Sequence, residues 1–192
     1  MSKDKYRNFE ELEKGEDTHN YRIIYKDRSS HISIIAPHGG KIEGNTTEIA
    51  EAIANDKFNY YSFIGERRNE NKKLHITSHK FDEPKALELV GKSEIVVAIH
   101  GCQDRQDGKN YKKHIFIGGL NKELKDELEK VLSEAGLSIG REKFKGKEKN
   151  NICNRTPQGG VQFELTASFR NDAKLRNRFI HVVRENLLTN AS

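Results

Sequence analysis

"IIAPHGGKIEGNTTEIAEAI", residues 34–53, is the stretch on which the fold turns. Ile34, Ile35 and Ala36 end an apolar run that Pro37, His38, Gly39 and Gly40 interrupt, and Glu43 stands five positions after His38. Asn45, followed three residues later by Glu48, predicts a capping-box start for a helix whose Ile49, Ala50, Ile53 and Ala54 share one face. Strand, polar turn and helix therefore follow one another. The glycines give the backbone freedom to turn sharply between His38 and Glu43, and Gly101 is expected to do the same after His100.

Working outward, YRIIYK (Tyr21–Lys26) and HISIIA (31–36) read as consecutive strands, and the turn residues 27–30 between them predict a hairpin. FNYYSFIG (58–65) reads as a strand, the polar ERRNENKK as a loop, and LHITS (74–78) as a shorter strand. Pro84 suits the first turn of a short helix over 83–90, where its missing N–H costs little. EIVVAIH (94–100) is apolar without interruption, as expected of a central strand covered on both faces. HIFIGG (114–119) and GVQFELT (160–166) are further strands. Asn121 opens a helix with Leu124, Leu128, Val131, Leu132 and Ala135 on one face and Gly136 at its end, and Leu175, Phe179, Val182, Val183 and Leu187 mark a C-terminal helix.

Alternating strands and helices predict an α/β domain, a mainly parallel mixed sheet with helices on both faces. At 192 residues, the chain is read as a single domain, 1–192. Hydrophobic residues make up 34% and charged residues 33%, and the apolar residues come in short runs, a globular pattern. No run is long enough to cross a bilayer, and the first residues lack the apolar centre of a secretory signal, so synthesis in the cytosol is expected, with action outside open to a protein released by lysis. A monomer is expected. Cys102 and Cys153 form no CxxC motif. The net charge of +5 favours anionic partners. The loop REKFKGKEKNNICNR (141–155) carries six Lys or Arg against two Glu, and a loop of that length in a small domain tends to be functional or mobile.

In open α/β sheets, ligands bind beyond the carboxyl ends of the strands. There the sequence offers His38 with Glu43, His100, and Glu164 in the late strand. Two imidazoles and a carboxylate make up the protein ligands of many catalytic zinc sites, which keep a fourth position open. Glu164 would be the separate carboxylate that moves the proton. Taken singly, a strand-end histidine is more often a hydrogen-bonded loop residue than a ligand. What favours the metal is coincidence: two histidines each followed by glycine, and one carboxylate in an otherwise apolar strand. Cys102 is read as small packing rather than as a nucleophile. His79 and Asp82, in TSHKFDEP, are read either as second-sphere groups or as parts of a turn.

PHGGKIEGNTTEIAEAI, LHITSHKFDEP, AIHGC and NRTPQGGVQFELT, in that order, resemble the poly-gamma-glutamate hydrolases, which occur in phages of bacilli and as related copies in bacillus genomes. The resemblance runs from about residue 31 to about residue 188. It implies an α/β/α sandwich similar to the zinc carboxypeptidases, a zinc ion on His38, Glu43 and His100, Glu164 as general base, and endo cleavage of the gamma-linked amide. The HxxE spacing of ordinary carboxypeptidases is shorter than the step from His38 to Glu43, which distances the chain from digestive-type exopeptidases. A polymer with a free carboxylate on every residue would be held best by arginines. Arg155 is the first candidate, followed by Arg67, Arg68 and Arg105. Two other functions fit parts of the sequence: a zinc deacylase or carboxypeptidase acting on small N-acyl amino acids or peptides, and a non-catalytic polyanion-binding module. Nucleic acid is disfavoured, because aromatics make up only 8% and none lies in a recognisable stacking motif.

Overall fold

The apolar run 94–100 lies in β4 (Ile95–Cys102), at the centre of a seven-stranded sheet. β4 pairs in parallel with β2 (Ile32–Gly40) on one side and with β9 (Val161–Thr166) on the other. β3 (Asn59–Gly65) extends the parallel set beyond β2, and β1 (Tyr21–Lys26) closes that edge antiparallel to β3. Beyond β9, β7 (His114–Gly119) runs antiparallel to it, and β8 (Ser138–Gly140) is parallel to β7. The computed structural model describes residues 4–190.

Alternation along the strands builds two cores. Ile34 and Ala36 of β2, Val97 and Ile99 of β4, and Val161, Phe163 and Leu165 of β9 face one layer. It is made by α2 (Thr46–Ala54), α4 (Lys122–Glu134) and α6 (Ala173–Asn190). Phe163 meets Phe179 of α6 edge-on, with ring centroids 5.0 Å apart. Ile35, Phe63, Val96 and Ala98 face the opposite layer, with α1 (Phe9–Gly15), α3 (Pro84–Gly91) and the segment holding Leu74, Ile76 and Phe81. Each fully buried Val, Leu, Ile or Phe among these contributes roughly 1.5–3 kcal/mol of burial free energy, so the two faces stabilise the sheet together. The outcome is the three-layer α/β/α arrangement expected. Among the described residues, no helix is long and apolar enough to cross a membrane.

Three local expectations fail. β1 and β2 do not form a hairpin, because β1 pairs with β3 from Tyr21↔Gly65 to Lys26↔Tyr60. Residues 74–78 are not a strand: a short 3-10 turn, Asn71–Leu74, leads into extended chain that lays Leu74 and Ile76 on the sheet face without a ladder. The capping box at Asn45 does not form either. Asn45 is left-handed (φ 69°), and its amide donates to Arg170 O at 3.1 Å and to Asn171 Oδ1 at 3.1 Å.

Candidate metal centre

Four side chains reach one spot through the register of three strands. His100 and Glu164 are direct partners across β4 and β9, so their side chains share a face of the sheet. That is the face of Val96 and Ala98. His38 reaches the same face through a bulge in β2. Ala36 pairs with Ser62 and Gly39 with Ile64, so three steps on β2 match two on β3. The extra residue reverses the alternation after Ala36 and turns His38 toward His75 and Phe81 on the other face. Pro37, which has no N–H for a ladder, sits at the bulge.

The turn then folds back. Glu43 N–H donates to His38 O at 3.0 Å, and Gly40 takes a positive φ of 62° that a side chain would strain. The Glu43 carboxylate thereby stands 3.3 Å from His38 Nδ1 and 3.8 Å from His100 Nδ1, and it accepts the Gly101 N–H at 2.7 Å. His38 Nδ1 and His100 Nδ1 are 3.1 Å apart. His38 Nε2 lies 2.8 Å from Ile76 O, and since a carbonyl only accepts, Nε2 carries the proton and Nδ1 keeps its lone pair. Both histidines are buried. Burial opposes a charge on His38, yet the Glu43 carboxylate outweighs it and raises the His38 pKa. Burial also opposes the Glu43 charge, but the imidazoles hold its pKa down at about 2. Burial, then the neighbouring His38, pushes His100 to about 3.

Glu164 differs. Among the described residues, no donor bonds its carboxyl, and burial together with the Glu43 charge raises its pKa well above the usual range, with Arg170 partly opposing. The raised value suits a group that takes up and returns a proton.

Sequence reasoning missed three groups here. His75 stacks on His38 with ring centroids 4.0 Å apart, and its Nδ1 is 2.7 Å from Asp4 Oδ1. Asp4 is fixed in turn by Thr77 N–H at 2.7 Å and by the Thr77 hydroxyl at 2.6 Å. His38, Glu43 and His75 each offer a donor atom, all within 4.8 Å of one another, and the Asp4 contact engages only Nδ1 of His75, so His75 is a further candidate ligand at the same centre. Its signal was present in LHITS but was absorbed into a strand reading. Arg170, buried beneath the site, had no spacing signal at all. Gly101 is not a turn residue: it lies within β4, and a Cβ there would come within 2.5 Å of Arg170 Cζ.

The candidate arginines are scattered. Arg67 lies inside the fold, with Nη1 2.6 Å from both oxygens of buried Glu16. To reach a substrate it would have to leave that pair. Arg68 is exposed, and Arg105 is exposed on β5 (Arg105–Gln106), which pairs with β6 (Lys109–Asn110). Arg155 is half-buried, with Nε donating to Asn150 O at 3.1 Å. It follows the 3-10 turn Ile152–Asn154, whose Ile152 N–H donates to Ser78 O at 3.0 Å, and Ser78 Oγ lies 3.5 Å from His100 Nε2. Asp82 accepts the Phe9 N–H at 2.7 Å and so anchors α1. Cys102 is a buried free thiol whose pKa burial pushes far up, as packing requires.

Known proteins share this arrangement of the chain. The SPbeta prophage-derived UPF0714 protein YoqZ of Bacillus subtilis is 35% identical over 177 residues, which is 90% of this chain and 62% of that protein. The UPF0714 protein YndL of the same organism is 34% identical over 174 residues, 88% of this chain and 66% of that protein. The chain thus spans just under two thirds of these curated relatives. A solved bacteriophage poly-gamma-glutamate hydrolase superposes with a TM-score of 0.89 at 28% identity, covering 98% of both chains. A zinc-free apo form of YndL gives 0.89 at 29%, covering 99% of this chain and 100% of that one. A family model described as poly-gamma-glutamate hydrolase matches residues 6–182, and the chain belongs to that hydrolase family.

Proposed function

We propose that the protein hydrolyses gamma-glutamyl amide bonds within poly-gamma-glutamate, with zinc held by His38, Glu43 and His100 and with Glu164 as general base. The observation that carries this reading is the spacing of the three donors. Atoms about 2.0–2.2 Å from one tetrahedral zinc stand roughly 3.3–3.6 Å from each other. The separations here bracket that range: 3.1 Å between the two Nδ1 atoms, 3.3 Å from His38 Nδ1 to Glu43 Oε1 and 3.8 Å from His100 Nδ1 to Glu43 Oε2. The Ile76 carbonyl holds His38 Nε2 and so turns Nδ1 toward the other donors, as outer-sphere groups do at zinc sites. The His, His, carboxylate set suits zinc among the common divalent ions.

Zinc, when bound, polarises a water and the scissile carbonyl. Glu164 accepts the proton that water loses on attacking the amide carbon, and returns it to the departing amine nitrogen as the C–N bond breaks. Arg155, beside the turn docked on Ser78, together with exposed Arg68 and Arg105, supplies guanidinium partners for the carboxylates flanking the cut bond. The other basic side chains of 141–155 attract the polymer before docking.

Chelation followed by zinc titration tests the reading. The chelated protein should leave long gamma-polyglutamate intact, and one equivalent of zinc should restore cleavage, with mean chain length dropping steeply after few cuts. Parental turnover by rigorously zinc-free protein would refute it.

A further inference from the structure

Arg170 lies in α5 (Ala167–Arg170), the short helix between β9 and α6, and no role has yet been given to its charge. It is only 7% exposed. Burying a guanidinium is costly unless its donors are met. Each of its three nitrogens finds a backbone carbonyl: Nε donates to Leu165 O at 3.0 Å, Nη2 to Cys102 O at 3.2 Å, and Nη1 to Gly44 O. Leu165 adjoins Glu164, Gly44 adjoins Glu43, and Cys102 lies two residues beyond His100.

From this we infer that Arg170 is a positioning residue: one planar cation that ties together the three chain segments presenting Glu43, His100 and Glu164. The inference rests on the hydrolytic reading above for what those residues do, and on hydrogen bonds alone for how they are held.

Two further contacts point the same way. The guanidinium lies flat against Gly101, where an added Cβ would fall 2.5 Å from Cζ and 2.6 Å from Nε. That same residue's N–H holds the Glu43 carboxylate at 2.7 Å. Gly101 thus serves both groups, its amide facing the ligand and its missing side chain making room for the cation. The Arg170 carbonyl accepts from Asn45 Nδ2 at 3.1 Å, so residues 44 and 45 are gripped from both ends of residue 170. Lysine could not replace this. A single ammonium is a point charge, whereas three carbonyls from three segments need the spread donors of a guanidinium.

The test uses the full chain with Arg170→Lys, Arg170→Gln and Gly101→Ala. Zinc affinity is read by competition with a chelating dye, steady-state kinetics on gamma-polyglutamate, and amide exchange at residues 43–45 and 101 in zinc-free protein. Removing an outer-sphere support typically costs about 10–100-fold in metal affinity or activity. Arg170→Gln should show that loss in zinc affinity and in kcat, with KM within about twofold, and faster exchange at those amides. Arg170→Lys and Gly101→Ala should fall between it and the parent. A variant that merely melts earlier, with parental zinc affinity and kcat when folded, overturns the inference. Should Arg170→Gln fail to fold, the other two variants decide by the same criteria. If the parental protein itself takes up no zinc, the metal reading falls, and the exchange arm still decides the anchor: parental exchange rates in all three variants reject it.

Discussion

Glu16 and Glu164 are both carboxylates largely withdrawn from water, and what surrounds them differs in kind. Glu16, with its side chain 1% exposed, receives the Tyr6 hydroxyl at 2.6 Å, Lys5 at 3.0 Å, Asn20 at 3.0 Å and Arg67 on both oxygens. Burial alone would raise its pKa, but the donors prevail and lower it. Glu164 receives no donor among the described residues, and its neighbour Glu43 repels its charge. A buried carboxylate whose lone pairs are all met is a structural knot, whereas half-buried Glu164, without a protein donor at the strand ends, is on the proposed reading the group that moves the proton. On that reading the N-terminal region and the strand-end region use the same residue type for opposite purposes.

The contrast breaks most visibly through Glu164. Glu164→Gln removes the proton acceptor with little change of shape, so turnover on gamma-polyglutamate should fall by about 10²–10⁴ while zinc stoichiometry and melting temperature stay parental. Glu16→Gln should do the reverse: it should lower stability by about 1–3 kcal/mol and leave kcat alone. Denaturant titration beside a turnover assay separates them, and equal catalytic losses in both variants would erase the distinction.

Within the strand-end region, the two imidazoles flanking His38 can be ranked. On the proposed ligand set His100 Nδ1, 3.1 Å from His38 Nδ1 and 3.8 Å from Glu43 Oε2, is itself a donor, so His100→Ala should weaken zinc binding by more than about 100-fold, beyond what loss of an outer support costs. On the proposed ligand set His75, whose Nδ1 is held by Asp4, is an outer support, so His75→Ala should cost no more than about 10-fold. Competition against a calibrated chelator gives both values. The reverse ranking would make His75 the ligand and His100 its neighbour.

The arginines divide along the same line. Arg67→Ala should destabilise the chain and leave KM unchanged, because its guanidinium serves Glu16. Arg155→Ala should leave stability nearly unchanged and raise KM for the polymer by roughly 3–10-fold, the scale of one charge-assisted contact near solvent. A higher KM for Arg67→Ala at parental stability would return that residue to the substrate.

How much of this was legible from the sequence follows from what periodicity encodes. Uninterrupted apolar character placed β4 at the centre, and the apolar face of 45–54 placed α2, because burial acts on those patterns directly. His38, Glu43, His100 and Glu164, the residues of the proposed site, stand out in the sequence because each sits at or near a strand end, where the fold class gathers ligands. The hairpin of β1 and β2 was misread because a turn signal tells where the chain bends and not which strand it meets next. The strand at 74–78 was misread because alternating burial of Leu74 and Ile76 looks the same whether extended chain joins a ladder or merely lies on the sheet face. Arg170 and the pairings of His75 with Asp4 and of Glu16 with Arg67 are not legible, because no local period encodes which side chains meet: 71 residues separate His75 from Asp4 and 51 separate Glu16 from Arg67.

Acid separates the two regions by the smallest effect, and its sign follows from linkage. The folded pKa of Glu16 lies below the 4.5 of the free side chain. Its contribution to stability is therefore complete above about pH 4.5 and is lost as pH falls through the lower folded value, since the unfolded chain takes up the proton first. Glu16→Gln removes that titration, so unfolding free energy plotted against pH between about 5 and 3 should be shallower for the variant than for the parent, the two curves converging toward the acid end. Chemical denaturation of zinc-free protein across that range measures the slopes, and because zinc is absent from both samples, protonation of metal ligands enters them equally. Parallel curves would mean that the Glu16 knot binds protons alike in folded and unfolded chains, and the N-terminal region would then owe its hold on Arg67 to packing rather than to charge.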